Sequence, residues 1–161
     1  MAVPAARTAN EDPLEGMLCF ALYATAHAFN RAYKPLLDAL GLTYPQYLAM
    51  LVLWRRDGLT VKAIGERLRL DSGTLTPLLK RLEAMGLVSR ARDAADERQL
   101  RVALTAKGRA LHARAAAVPE AMRRALGCSA AELRGLEEQL HRLRARLDAA
   151  APYSAPGRRR V

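Results

Sequence analysis

Apolar positions recur every three or four residues along most of this chain and, across one short stretch, every second residue. Leu18, Leu22, Phe29 and Leu36 keep helical spacing. Asp12-Pro13 supplies a capping side chain followed by proline, so the pattern predicts a first helix starting there. Pro35 is expected to kink or end it, and Gly41 closes the region. Thr43 to Gln46 has capping-box spacing and opens a second helix carrying Leu48, Leu51, Val52 and Trp54, which stops around Asp57-Gly58. Thr60 caps a short third helix with Val61, Ile64 and Leu68 on one face. A fourth starts at Asp71-Ser72-Gly73-Thr74 and ends at Met85-Gly86.

After Gly86 the period falls from about 3.6 to about 2. Leu87 to Arg90 and Leu100 to Leu104 read as strands, joined by the polar loop Ala91 to Gln99. Thr105 then starts a long fifth helix running to about Leu126, with Pro119 as its point of disturbance. Ser129 and Glu132 form a second capping box and open a sixth helix. Its Leu133, Leu136, Leu140, Leu143 and Leu147 lie near a heptad stripe. That stripe is short for an autonomous coiled coil, so it should pack on other helices or on a partner subunit. Two short helices around a tight turn, followed by a charged hairpin, predict a mainly α fold with a small β-hairpin, a winged helix-turn-helix. Residues 1–11 read as a flexible arm and 150–161 as a flexible basic tail.

A chain of 161 residues, 51% hydrophobic, is expected to form one domain with a real core. No run approaches the ~18 apolar residues of a membrane span. The first residues lack an apolar signal core, so the expected location is cytoplasmic. The net charge of +10 is unevenly placed. Residues 1–54 carry three basic and four acidic side chains, residues 55–109 thirteen and seven, and residues 110–161 ten and five. The excess begins where the helix-turn-helix begins, which suits a phosphate-binding surface, although a solvated basic face would give the same totals.

Ser72, Thr74 and Thr76 place short polar groups at the start of the fourth helix, where recognition helices meet base edges. Helix capping is the other use of these hydroxyls. Lys80 and Arg81 follow a turn later and suit phosphates. In the hairpin, Arg98 can enter a minor groove while Asp96 holds it or the loop in position. Arg90, Arg92 and Arg101 flank the hairpin as further phosphate contacts.

Two cysteines do not make a disulfide framework. Cys19 is expected to lie beyond the first turn of its helix, so the helix N-terminal field should help it only modestly. Tyr23 is its i+4 neighbour, and Tyr23, Ala26, Asn30 and Tyr33 fall within about 40° of it around the axis. A phenol can donate to a thiolate and raise its reactive fraction. A buried structural thiol is the alternative on residues alone. Cys128 stands 109 positions further on, between Gly127 and the Ser129 cap. No Cys-x-x-Cys, phosphate-binding loop or dinucleotide fingerprint occurs, and His27, His112 and His141 are scattered, so no metal and no cofactor are expected.

The stretches DSGTLTPLLKRLEAMGLVSR and DAADERQLRVALTAKG, with Asp96-x-Arg98 in the second, resemble the MarR family of dimeric winged-helix regulators. The segment LCFALYATAHAFNRAYKPLLDALGLTYPQYLAMLVLW is similar to that family's organic hydroperoxide sensor branch, OhrR. The resemblance implies a homodimeric repressor on double-stranded DNA with a pseudo-palindromic operator. Residues 12–149 would form the domain, with dimerisation helices about 12–40 and 105–149 and a DNA-binding part about 43–104. It further implies that Cys19 is the thiol oxidised by organic hydroperoxides and that Tyr23, Tyr33 and Tyr44 surround it, the last two from the other subunit. Phe20, Leu22 and Met50 would supply an apolar pocket. Cys128 would resolve oxidised Cys19 into an intersubunit disulfide. Three other readings stay open: a regulator relieved by a small phenolic ligand, a thiol peroxidase, and an architectural DNA binder using Arg158 to Arg160.

Overall fold

A computed structural model of the chain describes residues 13–93 and 96–150. The expected N-terminal arm, Asp12 and the basic tail beyond Ala150 lie outside the described residues. The order is α1 (Leu18–Asp38), α2 (Tyr44–Arg55), β1 (Leu59–Thr60), α3 (Val61–Leu68), α4 (Ser72–Ala84), β2 (Val88–Arg92), β3 (Leu100–Leu104), α5 (Ala106–Ala115), α6 (Val118–Leu126) and α7 (Ala130–Ala150). This is a winged helix-turn-helix between N- and C-terminal helices, mainly α, as the periodicity predicts.

Helix α1 starts five residues later than Asp12-Pro13 suggests. Gly16 adopts a left-handed φ of 73°, which a right-handed helix cannot continue. The Met17 N–H closes a turn on the Leu14 carbonyl at 3.3 Å, and the first helical bond runs from Ala21 to Met17. Cys19 therefore sits in the first turn of α1 rather than beyond it. At the other end Pro35 does not stop the helix, which runs on to Asp38. Pro35 lies on the exposed side, where the Arg31 carbonyl it leaves unpaired can meet water. Lys34 and Asp38 are bonded across it at 2.8 Å.

The sheet has three antiparallel strands in the order β1-β3-β2, with Leu59 opposite Val102 and Arg90 opposite Val102 on the other side. The expected hairpin is thus extended by β1, a two-residue strand too short for alternation to reveal. The expected continuous fifth helix is two helices. It breaks at Ala116-Ala117, and Pro119 falls in the first turn of α6, where its missing N–H costs least.

Leu53 of α2, Ile64 of α3, Leu75, Leu79 and Leu82 of α4, Val88 of β2 and Val102 of β3 are almost fully buried together. Truncating one such leucine to alanine typically costs about 2–5 kcal/mol. The core thereby fixes α4 and the sheet to each other. α5 is held against the α4–β2 turn: the Thr105 hydroxyl donates to the Gly86 carbonyl at 2.6 Å, and a Cβ on Gly108 would stand 2.0 Å from the Leu87 carbonyl oxygen. Asp57 joins three elements, accepting the Gly58 and Leu104 N–H groups at 2.8 Å and Arg109 at 3.3 Å. By contrast, α7 contains no buried residue, and Leu136, Leu140 and Leu147 are at least half exposed. Its far end meets the α3–α4 turn through Arg69 and Asp148 at 3.0 Å. Met17, Leu18, Phe20 and Leu22 at the start of α1 are exposed as well.

Candidate nucleic-acid interface and reactive thiol

The helix-turn-helix turn is closed by Arg69 in the left-handed region, φ 54°, between α3 and α4. Asp71 caps α4: its carboxylate accepts the Thr74 N–H at 2.8 Å and the Thr74 hydroxyl at 3.1 Å. These bonds hold the Asp71 carboxyl below its ordinary value. Capping is therefore done by Asp71, and the Thr74 hydroxyl proton points to it. Leu75, Leu78, Leu79 and Leu82 turn one face of α4 into the core. That leaves Ser72, Thr74, Lys80 and Arg81 exposed. Thr76 is half-buried and shares the wall of a cleft of about 470 Å³ with Arg90, Arg98 and Gln99. The cleft separates α4 from the wing.

Asp96 holds the wing loop rather than the Arg98 guanidinium. Its carboxylate accepts the Arg98 backbone N–H and the Gln99 side-chain amide, both at 3.1 Å. Arg98 itself is exposed. Arg92 donates to the Glu97 carbonyl at 2.8 Å. Arg101 is bonded to the buried Asp93 and donates to the Gly58 carbonyl at 2.7 Å, so this expected phosphate contact is committed within the protein. Arg90 is also bound, by Glu83. Sequence reasoning passed over Glu83 and Asp93. Their only signal is a carboxylate seven or eight residues before an arginine across a turn, and no periodicity marks that.

Cys19 is exposed in the first turn of α1. Tyr23 is exposed and its ring lies edge-on to His27, 4.3 Å between centroids. Tyr33 is elsewhere: fourteen residues along α1 is about 21 Å of rise. It packs on Tyr44 and Tyr47, with ring centroids 4.7 and 6.1 Å away. Tyr47 was not anticipated. Burial raises all three of these phenols above their ordinary value and keeps them protonated, hence donors. Within one protomer Tyr23 follows Cys19 by one turn of α1, its ring against Phe20 and His27, whereas Tyr33 and Tyr44 lie away from the thiol. Met50 is fully buried in the core, whereas Phe20 lines an open apolar cleft with Leu14, Met17, Leu18 and Ala21. Cys128 is half-buried between α6 and α7, its thiol donating to the Leu126 carbonyl at 3.4 Å. Beside it Ser129 and Glu132 form the expected capping box, with bonds of 2.7 and 3.2 Å. No described helix is long and apolar enough to cross a membrane.

Residues 31–114 match the family described as transcriptional regulator SarA/Rot. The chain is 54% identical to the HTH-type transcriptional regulator TtmR of Methylorubrum extorquens, over 90% of this chain and 75% of that one. It is 48% identical to the organic hydroperoxide resistance transcriptional regulator of Bacillus subtilis, over 81% and 88%. Among solved structures it is similar to AbfR of Staphylococcus epidermidis. Reduced AbfR bound to DNA gives a TM-score of 0.67 at 39% identity, covering 81% of this chain and 91% of that one. Disulfide-formed AbfR gives 0.59 at 40%, covering 78% and 88%. The chain belongs to the MarR-type winged-helix transcriptional regulators, a DNA-binding family, and has the organic hydroperoxide resistance regulator among its near relatives.

Proposed function

We propose that the chain is a repressor released from DNA by oxidation of Cys19. The observation that carries this reading is the position of that thiol, exposed in the first turn of α1 between Leu18 and Phe20, which line an apolar cleft. The regulators of organic hydroperoxide resistance and AbfR, the latter solved both reduced on DNA and disulfide-formed, support it. Two copies would pair through α1 and α5 to α7, covering the apolar side chains exposed on α1 and α7, and read a pseudo-palindromic duplex. Each copy would offer Ser72, Thr74 and Thr76 to the major groove and Arg98 to the minor groove. Lys80, Arg81 and Arg92 would meet phosphates.

In the chemical step the Cys19 thiolate attacks the distal oxygen of an organic hydroperoxide. The O–O bond breaks, the alcohol leaves after protonation, and Cys19 becomes a sulfenic acid. The thiol of Cys128 in the second copy then attacks that sulfur, forming a disulfide and releasing water. Tyr23 of the same copy, with Tyr33 and Tyr44 of the other, would donate hydrogen bonds to the thiolate. The 21 Å or so between Cys19 and Tyr33 along one helix is why the second copy is needed for the last two. Moving Cys128 displaces the α6–α7 joint and, with it, the pair of reading heads.

The test is binding to an operator fragment before and after one equivalent of cumene hydroperoxide, with Cys19→Ser alongside. Wild type should release the DNA and rebind after dithiothreitol, while Cys19→Ser should stay bound. Wild-type binding unchanged by peroxide would defeat the proposal.

A further inference from the structure

Arg90 sits where a phosphate contact is expected, at the base of the wing, yet its side chain is only 17% exposed. The cause is Glu83, one residue before the end of α4. One Glu83 oxygen accepts the Arg90 backbone N–H at 3.1 Å, and the other accepts the guanidinium Nε at 2.8 Å and Nη2. The carboxylate thus grips Arg90 by main chain and side chain at once. A two-pronged bond of this kind fixes direction as well as distance. The Arg90 contact also holds the Glu83 carboxyl below its usual range, so it is ionised at neutral pH.

Arg90 is the third residue of β2 and lies opposite Val102 of β3. Its side chain shares the cleft wall with Thr76 of α4 and Arg98 of the wing. Those are the two reading elements, one for each groove. The distance between them is set by how the strands leave α4, and the Glu83 grip adds a side-chain bond to the main-chain bonds from Gly86 and Leu87 that span this step. A guanidinium held in this way has its donors turned to the protein.

We propose that Glu83 is a positioning residue for DNA reading, holding Arg90 so that the wing and the start of α4 meet their grooves at a fixed separation. This rests on the assignment of α4 and the wing as the reading elements. Removing the grip leaves every phosphate contact in place but lets the wing pivot. Specific binding falls, and non-specific binding does not.

The test compares the full chain with Glu83→Gln, Arg90→Lys, Arg90→Ala and Arg98→Ala. The probes are a duplex selected by wild type from a random-sequence pool and a scrambled duplex of the same length, each across a salt series. Glu83→Gln makes the protein one charge more positive, so simple electrostatics predicts tighter binding to both. Positioning predicts the reverse on the selected duplex: about tenfold weaker binding, the size of a one-base-pair mismatch, with the scrambled duplex bound as well as or better than by wild type. Arg90→Lys keeps the charge and loses the fork, and should show the same selective loss with an unchanged salt slope. The proposal is overturned if Glu83→Gln binds the selected duplex as tightly as wild type, or if Arg90→Ala lowers the salt slope on both duplexes by about one phosphate's worth. Arg98→Ala separates the two levels of inference. If it leaves selected-duplex binding intact, the assignment of the wing itself fails.

Discussion

Trp54 donates its indole N–H to the main-chain carbonyl of Gly108 at 2.9 Å, joining α2 to the start of α5 across 54 positions of sequence. The same indole stacks on His112, with centroids 5.0 Å apart. Gly108 is thus held from one side by Trp54 and from the other by the Leu87 carbonyl, where a Cβ has no room. Replacing Gly108 by alanine should destabilise the fold by about 3 kcal/mol or more, the upper end of overpacking costs. Thermal melting checks this, and the fluorescence of Trp54, the chain's one tryptophan, reports whether its hydrogen bond has moved. A melting midpoint equal to wild type would mean that α5 does not pack against Leu87 in solution.

The cap of α4 carries a pH signature. The Thr74 bonds hold the Asp71 carboxyl below its ordinary 3.8, so its contribution to stability is present above that value and is lost as pH falls through the lower folded-state value. Asp71→Ala should lower the melting midpoint by an amount that is constant from about pH 5 upward and shrinks in stronger acid. Asp71→Asn, which keeps an acceptor, should retain most of the stability. A difference between wild type and Asp71→Ala that persists undiminished at pH 2 would contradict the assignment.

Base reading and phosphate binding separate by sequence dependence. Arg98→Ala should weaken operator binding chiefly where the flanking minor groove is A·T-rich and narrow. Substituting Thr74 or Thr76 should shift base preference by roughly 1–3 kcal/mol at one position of each half-site. Since the Thr74 hydroxyl proton is turned to Asp71, Thr74 offers DNA its oxygen and methyl group, and thymine is the favoured neighbour of that methyl. Competition binding with single-base operator variants measures both. Equal weakening on every sequence would assign these side chains to positioning alone.

The role proposed for Cys128 is tested by non-reducing electrophoresis. Wild type treated with cumene hydroperoxide should run as a covalent dimer, and both Cys19→Ser and Cys128→Ser should remain monomeric. A peroxide-induced covalent dimer of Cys128→Ser would show that another partner resolves Cys19.

Most of the winged helix was legible because its signals are local. Thr60 and Thr105 are side-chain caps, each accepting a backbone N–H three residues on. Ser129 and Glu132 form the box their spacing predicts. The misplaced features share a cause, which is that a local preference met a non-local constraint. Asp12-Pro13 is a good start signal, but the left-handed turn at Gly16 overrides it. Pro35 is a good stop signal, but it faces solvent, where its unpaired carbonyl costs little. β1 exists only because β3 pairs with it. In the site, Ser72, Thr74 and Arg98 were visible as residue types at characteristic places. The grip of Glu83 on Arg90 was not, because arginine and carboxylate meet by the folding back of β2 on α4. Arg90 and Arg101 consequently looked like free cations in the sequence.

Helix α7 has a thermodynamic consequence. Twenty-one residues of which none is fully buried, and of which only Leu133 and Leu143 among the leucines are partly covered, draw little hydrophobic stabilisation from their own protomer. Their tie to the reading head is an ion pair exposed on both sides, Arg69 with Asp148, and such pairs contribute little. Under the proposed pairing of two copies, the order of α7 follows mass action. Dilution should fray this helix before it touches the winged core. The chain would unfold in two stages, the first concentration-dependent and the second not.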